Sequence, residues 1–227
     1  MHMLRRDGIA VSRKRVASLM RREGLVARQR KRFKVTTDSR HQEPIAPNLL
    51  QRKFSAENHG DAMVGDTTAI ETKEGWLYLA VMLDLCTRAV VGWSVSETND
   101  TALISAAFKG ALKHGFRRGF IHHTDRGSTY ASRAYRVIVE AAGGRRSMSG
   151  TGDCYDNAVA ESFFRTLKEE GIGNDTPPTV AKAREAAFSF IEGFYNHERL
   201  HSTLGYRTPM EFKKMKMDDA SRIQQGS

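Results

Sequence analysis

Trp76-Leu-Tyr-Leu-Ala-Val-Met-Leu83 is a near-continuous apolar run, and Ala89-Val-Val-Gly-Trp-Ser-Val95 is a second. Strands buried on both faces read this way, so both are expected to be central and buried. Upstream, Ala62-Met-Val-Gly-Asp-Thr-Thr-Ala-Ile70 reads as a strand bounded by polar residues, with Gly65 its weak point. Downstream the pattern predicts a helix at 100–114, a strand at 119–124, a helix at 131–142, a short strand at 145–149 and a helix at 156–170. A long helix follows at about 179–196. Three strands in meander order, then alternating helices and strands, predict an α/β fold: a mixed sheet with helices on its faces.

Within this frame three carboxylates stand where a solvated surface acid is not expected. Asp66 interrupts the first apolar strand, and a buried carboxylate needs a counter-charge or a metal. Asp125 closes Phe120-Ile-His-His-Thr-Asp125, at the carboxyl end of a strand, where open α/β sheets bind ligands. Glu161 lies on the 156–170 helix, which has Asp156 or Asn157 as its N-cap. There Glu161, Arg165 and Lys168 share one face, while Val159, Phe163 and Leu167 form an apolar stripe. Three oxygen donors from separate elements suit Mg²⁺ or Mn²⁺, and two such ions can activate a nucleophile and stabilise the leaving oxygen of a phosphoryl transfer.

The net charge is +10, and all of it resides in the first quarter: residues 1–59 hold fifteen Lys/Arg against five Asp/Glu, and the remainder is balanced. A basic arm on a neutral body is the footprint of a nucleic-acid binder. An anionic membrane would satisfy the charge equally, but no segment approaches the roughly 18 apolar residues of a span. At 227 residues, 40% hydrophobic and 27% charged, the chain has room for one ordinary domain and a small second one. Ser12 as N-cap, Val16, Leu19 and Met20 as apolar face and Gly24 as stop mark a basic helix near the start. It fits the second helix of a helix-turn-helix, with Ser12, Arg13 and Arg15 foremost in a major groove. The organisation expected is a partial helix-turn-helix segment at 1–30, a basic linker at 31–60, a catalytic core with C-terminal helices at 61–213 and a tail at 214–227. Two cysteines, Cys86 and Cys154, lack metal-like spacing and argue against a disulfide framework, so a cytoplasmic setting is expected.

His197-Glu198-Arg199-Leu200-His201 matches the zinc-protease pattern. That chemistry needs both His on one continuous helix, and Gly205 and Pro209 end any helix soon afterwards. Phosphate contact or helix capping by Arg199 and His201 is the preferred reading, with a zinc metalloprotease a distant third function. His122 and His123 are read as structural; at most one can face the site, since strand neighbours alternate.

Several longer motifs carry a family resemblance: Glu74-Gly-Trp-Leu-Tyr-Leu-Ala80, His123-Thr-Asp-Arg-Gly-Ser-Thr-Tyr130, Gly152-Asp-Cys-Tyr-Asp-Asn-Ala-Val-Ala-Glu-Ser-Phe-Phe-Arg-Thr-Leu-Lys168 and Tyr195-Asn-His-Glu-Arg-Leu-His-Ser-Thr-Leu-Gly-Tyr-Arg-Thr-Pro209. With them the chain resembles the transposases of bacterial insertion sequences whose catalytic domain is related to retroviral integrases, specifically the second of two overlapping reading frames. The resemblance implies a ribonuclease H-like fold, with Asp66, Asp125 and Glu161 as catalytic, metal-binding triad and Lys168 as a DNA-contacting base. It implies metal-dependent phosphodiester cleavage at the element's end, freeing a 3′-hydroxyl that then attacks another phosphodiester. Expected DNA contacts are Arg13, Arg15, Asn157, Arg165, Lys168, Arg199 and His201. Expected partners are terminal-repeat and target DNA, a homo-oligomer on that DNA and a first-frame protein, in the cytoplasm and on the nucleoid when bound to DNA.

The chain also departs from the family. Met63, Thr67 and Ala69 stand where the family has Trp, Ile and Tyr, a loss expected to weaken packing around Asp66 by about 2–4 kcal/mol. Gly150-Thr151 replaces a basic pair, and the chain begins inside the DNA-binding region. The rival expectation is therefore a truncated or inactive DNA-binding remnant.

Overall fold

The computed structural model describes residues 2–25, 43–150, 157–173 and 175–225. Thr151, Cys154, Asp156 and the linker residues 26–42 lie outside the described residues. The chain divides into two units, Met1–Thr36 and Thr37–Ser227.

The first unit holds α1 (His2–Arg6) and α2 (Arg13–Arg22). Ser12 is extended and its side chain accepts a hydrogen bond from the Arg15 N–H at 3.2 Å, which is how a Ser N-cap satisfies an otherwise orphaned donor. Gly24, just past the helix, takes φ +68°, the left-handed stop expected of it. Arg13, Lys14, Arg15, Arg21 and Arg22 are all exposed, while Val16 and Leu19 are half-buried.

The second unit is built on a five-stranded sheet in the order β3-β2-β1-β4-β5. Its strands are β1 (Ala62–Thr72), β2 (Gly75–Asp84), β3 (Val90–Ser96), β4 (Ile121–Thr124) and β5 (Arg145–Met148). β1 runs antiparallel to β2 and parallel to β4; β2 and β3 are antiparallel, β4 and β5 parallel. Period-two alternation sends Ala62, Val64, Leu77, Leu79, Val81 and Leu83 to one face. There they meet α6 (Ala158–Thr166) and the helical segment Val180–Tyr195, whose first part is α7 (Val180–Phe188). Met63, Ala80 and Met82 point the other way, onto α3 (Thr101–Leu112) and α5 (Arg133–Ala141), with the short α4 (Ser128–Ala131) beside them. The mixed sheet with helices on both faces is thus as expected.

One element differs from its expected place. β3 lies at the sheet edge, not its centre. Its apolar first half is buried because α3 covers one face so closely that a Cβ at Gly92 would strike the Ala107 carbonyl and the Ala111 amide. On the other side the Asn196 side chain takes the place of a neighbouring strand, donating to the Val90 carbonyl and accepting from the Val90 N–H, each at 3.0 Å. The helices near Glu161 also change character. α6 continues in π-helical geometry over Leu167–Ile172 and α7 over Ser189–Tyr195, where a Cβ at Gly171 would meet the Phe190 ring. α8 (Pro209–Gln225) closes the chain. Residues 43–60, read as connector, lie along the core: Leu50 is buried, Phe54 and Ala56 pack against it, and the Leu49 N–H donates to Ser147 Oγ at 2.9 Å.

Candidate active site

Register positions the first two acids. β1 and β4 are parallel neighbours with Gly65 opposite Thr124, so Asp66 is the next residue of β1 and Asp125 the first residue past the end of β4. Asp66 has the same parity as Ala62 and Val64, the residues facing α6, and Glu161 comes from that helix. Gly65, the weak point of the strand in sequence, proves necessary there: a Cβ would stand 2.7 Å from the buried His122 ring and 2.9 Å from Met82 Sδ.

The carboxylates feel one another. Asp66 is half-exposed as a residue, but its carboxyl group is enclosed. Burial, then the charge of Asp125, then that of Glu161 hold its pKa well above the ordinary carboxylate range, against hydrogen bonds from Thr67 and Asn157. Glu161, half-buried, is likewise raised by burial and eased by Arg165 one turn on. Lys168 is exposed along its length, but the protein around its ammonium lowers its pKa, an effect that Asp66 opposes. Asp125 is held by its own turn, its carboxylate accepting from the Gly127 N–H at 2.9 Å.

Like charges gathered by the fold and bearing only oxygen donors fit a hard divalent cation, which would relieve their repulsion. Nevertheless, among the described residues no three His, Cys, Asp or Glu side chains stand tightly enough to hold a metal ion. One reason is visible at Asp66: the Thr67 N–H occupies one oxygen at 2.7 Å and the Asn157 carboxamide nitrogen the other at 2.7 Å.

The surroundings show what sequence reading missed. Thr67 Oγ1 lies 3.1 Å from the Tyr130 hydroxyl, tying the strand of Asp66 to the helix that follows Asp125. Met63, where a larger Trp was the family expectation, is fully buried between β2 and α3 residues. His122 and His123 are both buried, on opposite sides of β4. His122 Nε2 is 2.7 Å from the Tyr135 hydroxyl and burial pushes its pKa down to about 3; His123 Nδ1 is 2.8 Å from Ser147 Oγ. Asn157 stands at the N-cap of α6 but makes no capping bond, having turned to Asp66. No residue-level signal announces that contact; only the spacing of one helical turn from Glu161 hints at it. On α6 the buried side chains are Ala160, Phe163, Phe164 and Thr166, with Val159 partly buried and Arg165 exposed.

The remaining candidates lie apart from the acids in role. Arg199 forms an ion pair with Glu170, Nε to Oε2 at 3.2 Å. His201 packs edge-on against Tyr195, its pKa pushed down to about 4 by burial and by Arg199 and Arg88, so its ring is neutral near pH 7. His197 and His201 do not share a helix, because the helical segment ends at Tyr195 and His201 forms a bridge with Arg207. The geometry on which the zinc reading depends is therefore missing from this segment. Cys86 is free and buried, its thiol pushed up to about 11 by burial and Asp84.

A mixed sheet in this order, helices on both faces and a helical basic unit ahead of it define the class. Two family profiles, each described as "Integrase core domain", match residues 56–154 and 142–209, and one described as "HTH-like domain" matches residues 1–33. The chain is 40% identical over 214 residues to the "Transposase for insertion sequence element IS904" of Lactococcus lactis, covering 93% of this chain and 84% of that one. It is 40% identical over 211 residues to the "Transposase InsF for insertion sequence IS3A" of Escherichia coli, covering 92% and 73%, and 40% identical over 216 residues to the "Insertion element IS600 uncharacterized 31 kDa protein" of Shigella sonnei, covering 93% and 78%. The chain belongs to this family of insertion-sequence transposases with an integrase core.

Among solved structures it resembles a chain of the simian T-cell lymphotropic virus intasome in complex with PP2A regulatory subunit B56 gamma, with TM-score 0.58, 17% identity and coverage of 78% of this chain and 60% of that one. It also resembles the HTLV-2 integrase catalytic core domain in complex with magnesium, with TM-score 0.52, 15% identity and coverage of 70% and 99%. At those identities the likeness is of fold, and the fold is ribonuclease H-like.

Proposed function

We propose that the chain is a DNA transposase in which Asp66, Asp125 and Glu161 together hold two divalent cations, Mg²⁺ or Mn²⁺, and catalyse cleavage at an element's end followed by strand transfer. The observation that supports this reading is the register that sets Asp66 of β1 beside Asp125, just past the end of the adjacent strand β4, with Glu161 on the helix packed over that face, so that the charges of Asp125 and Glu161 add to burial in raising the Asp66 pKa. When bound, such cations polarise the scissile phosphodiester and lower the pKa of the attacking water or 3′-hydroxyl. The chain's residues supply position. The Thr67 N–H fixes one Asp66 oxygen, the Gly127 N–H fixes Asp125, and α6 presents Glu161 with the exposed Arg165 and Lys168 beside it to bind the phosphate backbone. No covalent enzyme intermediate is required; alignment and charge neutralisation carry the catalysis. Arg13 and Arg15, exposed at the start of α2, would engage the terminal repeat, with Asn157, Arg199 and His201 as further contacts. A homo-oligomer on DNA, a first-frame partner protein and a cytoplasmic, nucleoid-bound location complete the reading.

The test is Asp125→Asn: Mg²⁺-dependent strand transfer of end-bearing DNA should be lost while binding of that DNA stays within about twofold, since phosphate contacts set affinity. Unchanged transfer overturns the proposal. A second reading, an inert DNA-binding remnant, draws on the engagement of both Asp66 oxygens by protein donors. Labelled end DNA incubated with the protein and Mn²⁺ separates the two: nicking supports the enzyme, and binding without nicking supports the remnant.

A further inference from the structure

We infer that Asn157 is a positioning residue that competes with the divalent cation for Asp66. The inference rests on the metal-site reading above and deepens it.

Asn157 opens α6 in a non-helical conformation, φ −127° and ψ 23°, where an Asn side chain ordinarily accepts a backbone N–H of the first turn. Here it makes no such bond. Its Nδ2 instead donates to Asp66 Oδ2 at 2.7 Å, the oxygen that the Thr67 amide leaves open. Its Oδ1 is buried and has no partner among the described residues, in a residue only 6% exposed. A side chain that forgoes its cap and strands a buried acceptor in order to reach one carboxylate is placed by that carboxylate. It lies one turn before Glu161, on the same side of the helix.

Each oxygen of Asp66 already accepts one N–H donor, so a cation that coordinates through Oδ2 meets the Asn157 amide at that same oxygen. A cation at Oδ2 draws off the electron density that the Asn157 bond uses and repels its positive N–H end, so coordination weakens that bond and frees the carboxamide to turn away. Asn157 thus holds the acid in place while no cation is bound and yields when one arrives, which also sets a threshold on cation concentration. The Thr67 contact is local backbone and persists.

Mn²⁺ binding to the full chain, without DNA, is the direct readout, by titration calorimetry and by the loss of free-Mn²⁺ paramagnetic signal. Asn157→Ala is expected to bind Mn²⁺ about two- to tenfold more tightly than the unsubstituted chain, the factor that loss of one competing hydrogen bond supplies. Asn157→Ser keeps a capping side chain too short to reach Asp66 and should give the same gain if the Ala variant folds poorly. Thermal midpoints give a second readout: Asn157→Ala should melt below the unsubstituted chain without metal, and the gap should close at saturating Mn²⁺. Equal or weaker Mn²⁺ binding in both variants, with binding still abolished by Asp66→Asn, overturns the competition while leaving the metal site intact. Failure of the unsubstituted chain to bind Mn²⁺ overturns the metal-site reading and this inference with it.

Discussion

At the scale of single residues the molecule treats its buried acids in two opposite ways. Asp84 is wholly buried, and burial alone would raise its pKa. That is outweighed by His59, 3.2 Å away as an ion-pair contact, by the Gly60 N–H at 3.0 Å and by the Thr87 N–H at 2.7 Å, so its pKa is lowered. At Asp66 burial, joined by the charges of Asp125 and Glu161, outweighs two donors, and its pKa is raised. One acid anchors the segment 57–61 to the end of β2; the other is kept costly to ionise. Because the folded pKa of Asp84 lies below its unfolded value of 3.8, its stabilising contribution is present above that value and is lost as pH falls through the folded one. Asp84→Ala should cost about 3–5 kcal/mol in urea unfolding at pH 7, since it orphans several buried donors. The difference from the unsubstituted chain should narrow below pH ~4; an equal difference at pH 7 and pH 3 would contradict this account. Sequence marked Asp66 as anomalous because it breaks an apolar run. Asp84, at the end of its strand, carried no such mark, because partners that arrive from His59 and Gly60 are not visible in its own neighbourhood.

Among the elements, β3 and the segment after α7 illustrate how an edge strand becomes core. Exposed edges invite pairing with another chain. Here Asn196 closes one residue of that edge with both ends of its carboxamide, and Trp93 Nε1 donates to Glu192 at 2.7 Å across the same junction. The residue comes from the stretch Tyr195 to Pro209, whose sequence invited a zinc reading; its structural work is done by the Asn that precedes the two His residues. Asn196→Leu, which keeps the branched shape and removes both bonds, should destabilise by roughly 2–4 kcal/mol, because the Val90 N–H and carbonyl are left buried and unpaired. Chemical unfolding measures it, and a loss under about 0.5 kcal/mol would mean that water replaces the amide. Element types were legible from period and caps, including Ser12 and Gly24. The π-helical turns were not, since they follow from close packing such as Gly171 against Phe190 rather than from local propensity.

Across the whole molecule, charge and chemistry are segregated. The +10 excess lies in the first quarter, and the acids that converge lie in the integrase core. A DNA-binding transposase of this design should show affinity falling linearly with salt on logarithmic axes, because phosphate contacts release counterions. Substituting Arg13 and Arg15 together with Ala should reduce the magnitude of that slope by about 2, while leaving the melting temperature nearly unchanged, as both side chains are exposed and bury nothing. Binding isotherms between low and physiological salt measure the slope; an unaltered slope would remove α2 from the DNA interface.

Sequence alone determined the alternation of strands and helices and the basic first quarter, because periodicity, caps and net charge are properties of neighbours along the chain. The structure decided which strand is an edge, that Gly65 pairs with Thr124 so that Asp66 and Asp125 fall side by side, and that two asparagines turn from capping and solvent to a carboxylate and a strand edge. An apolar run records that a strand is buried but not what buries it, and an amide can satisfy any partner within reach. Strand order and hydrogen-bond choice are therefore fixed only when distant segments pack.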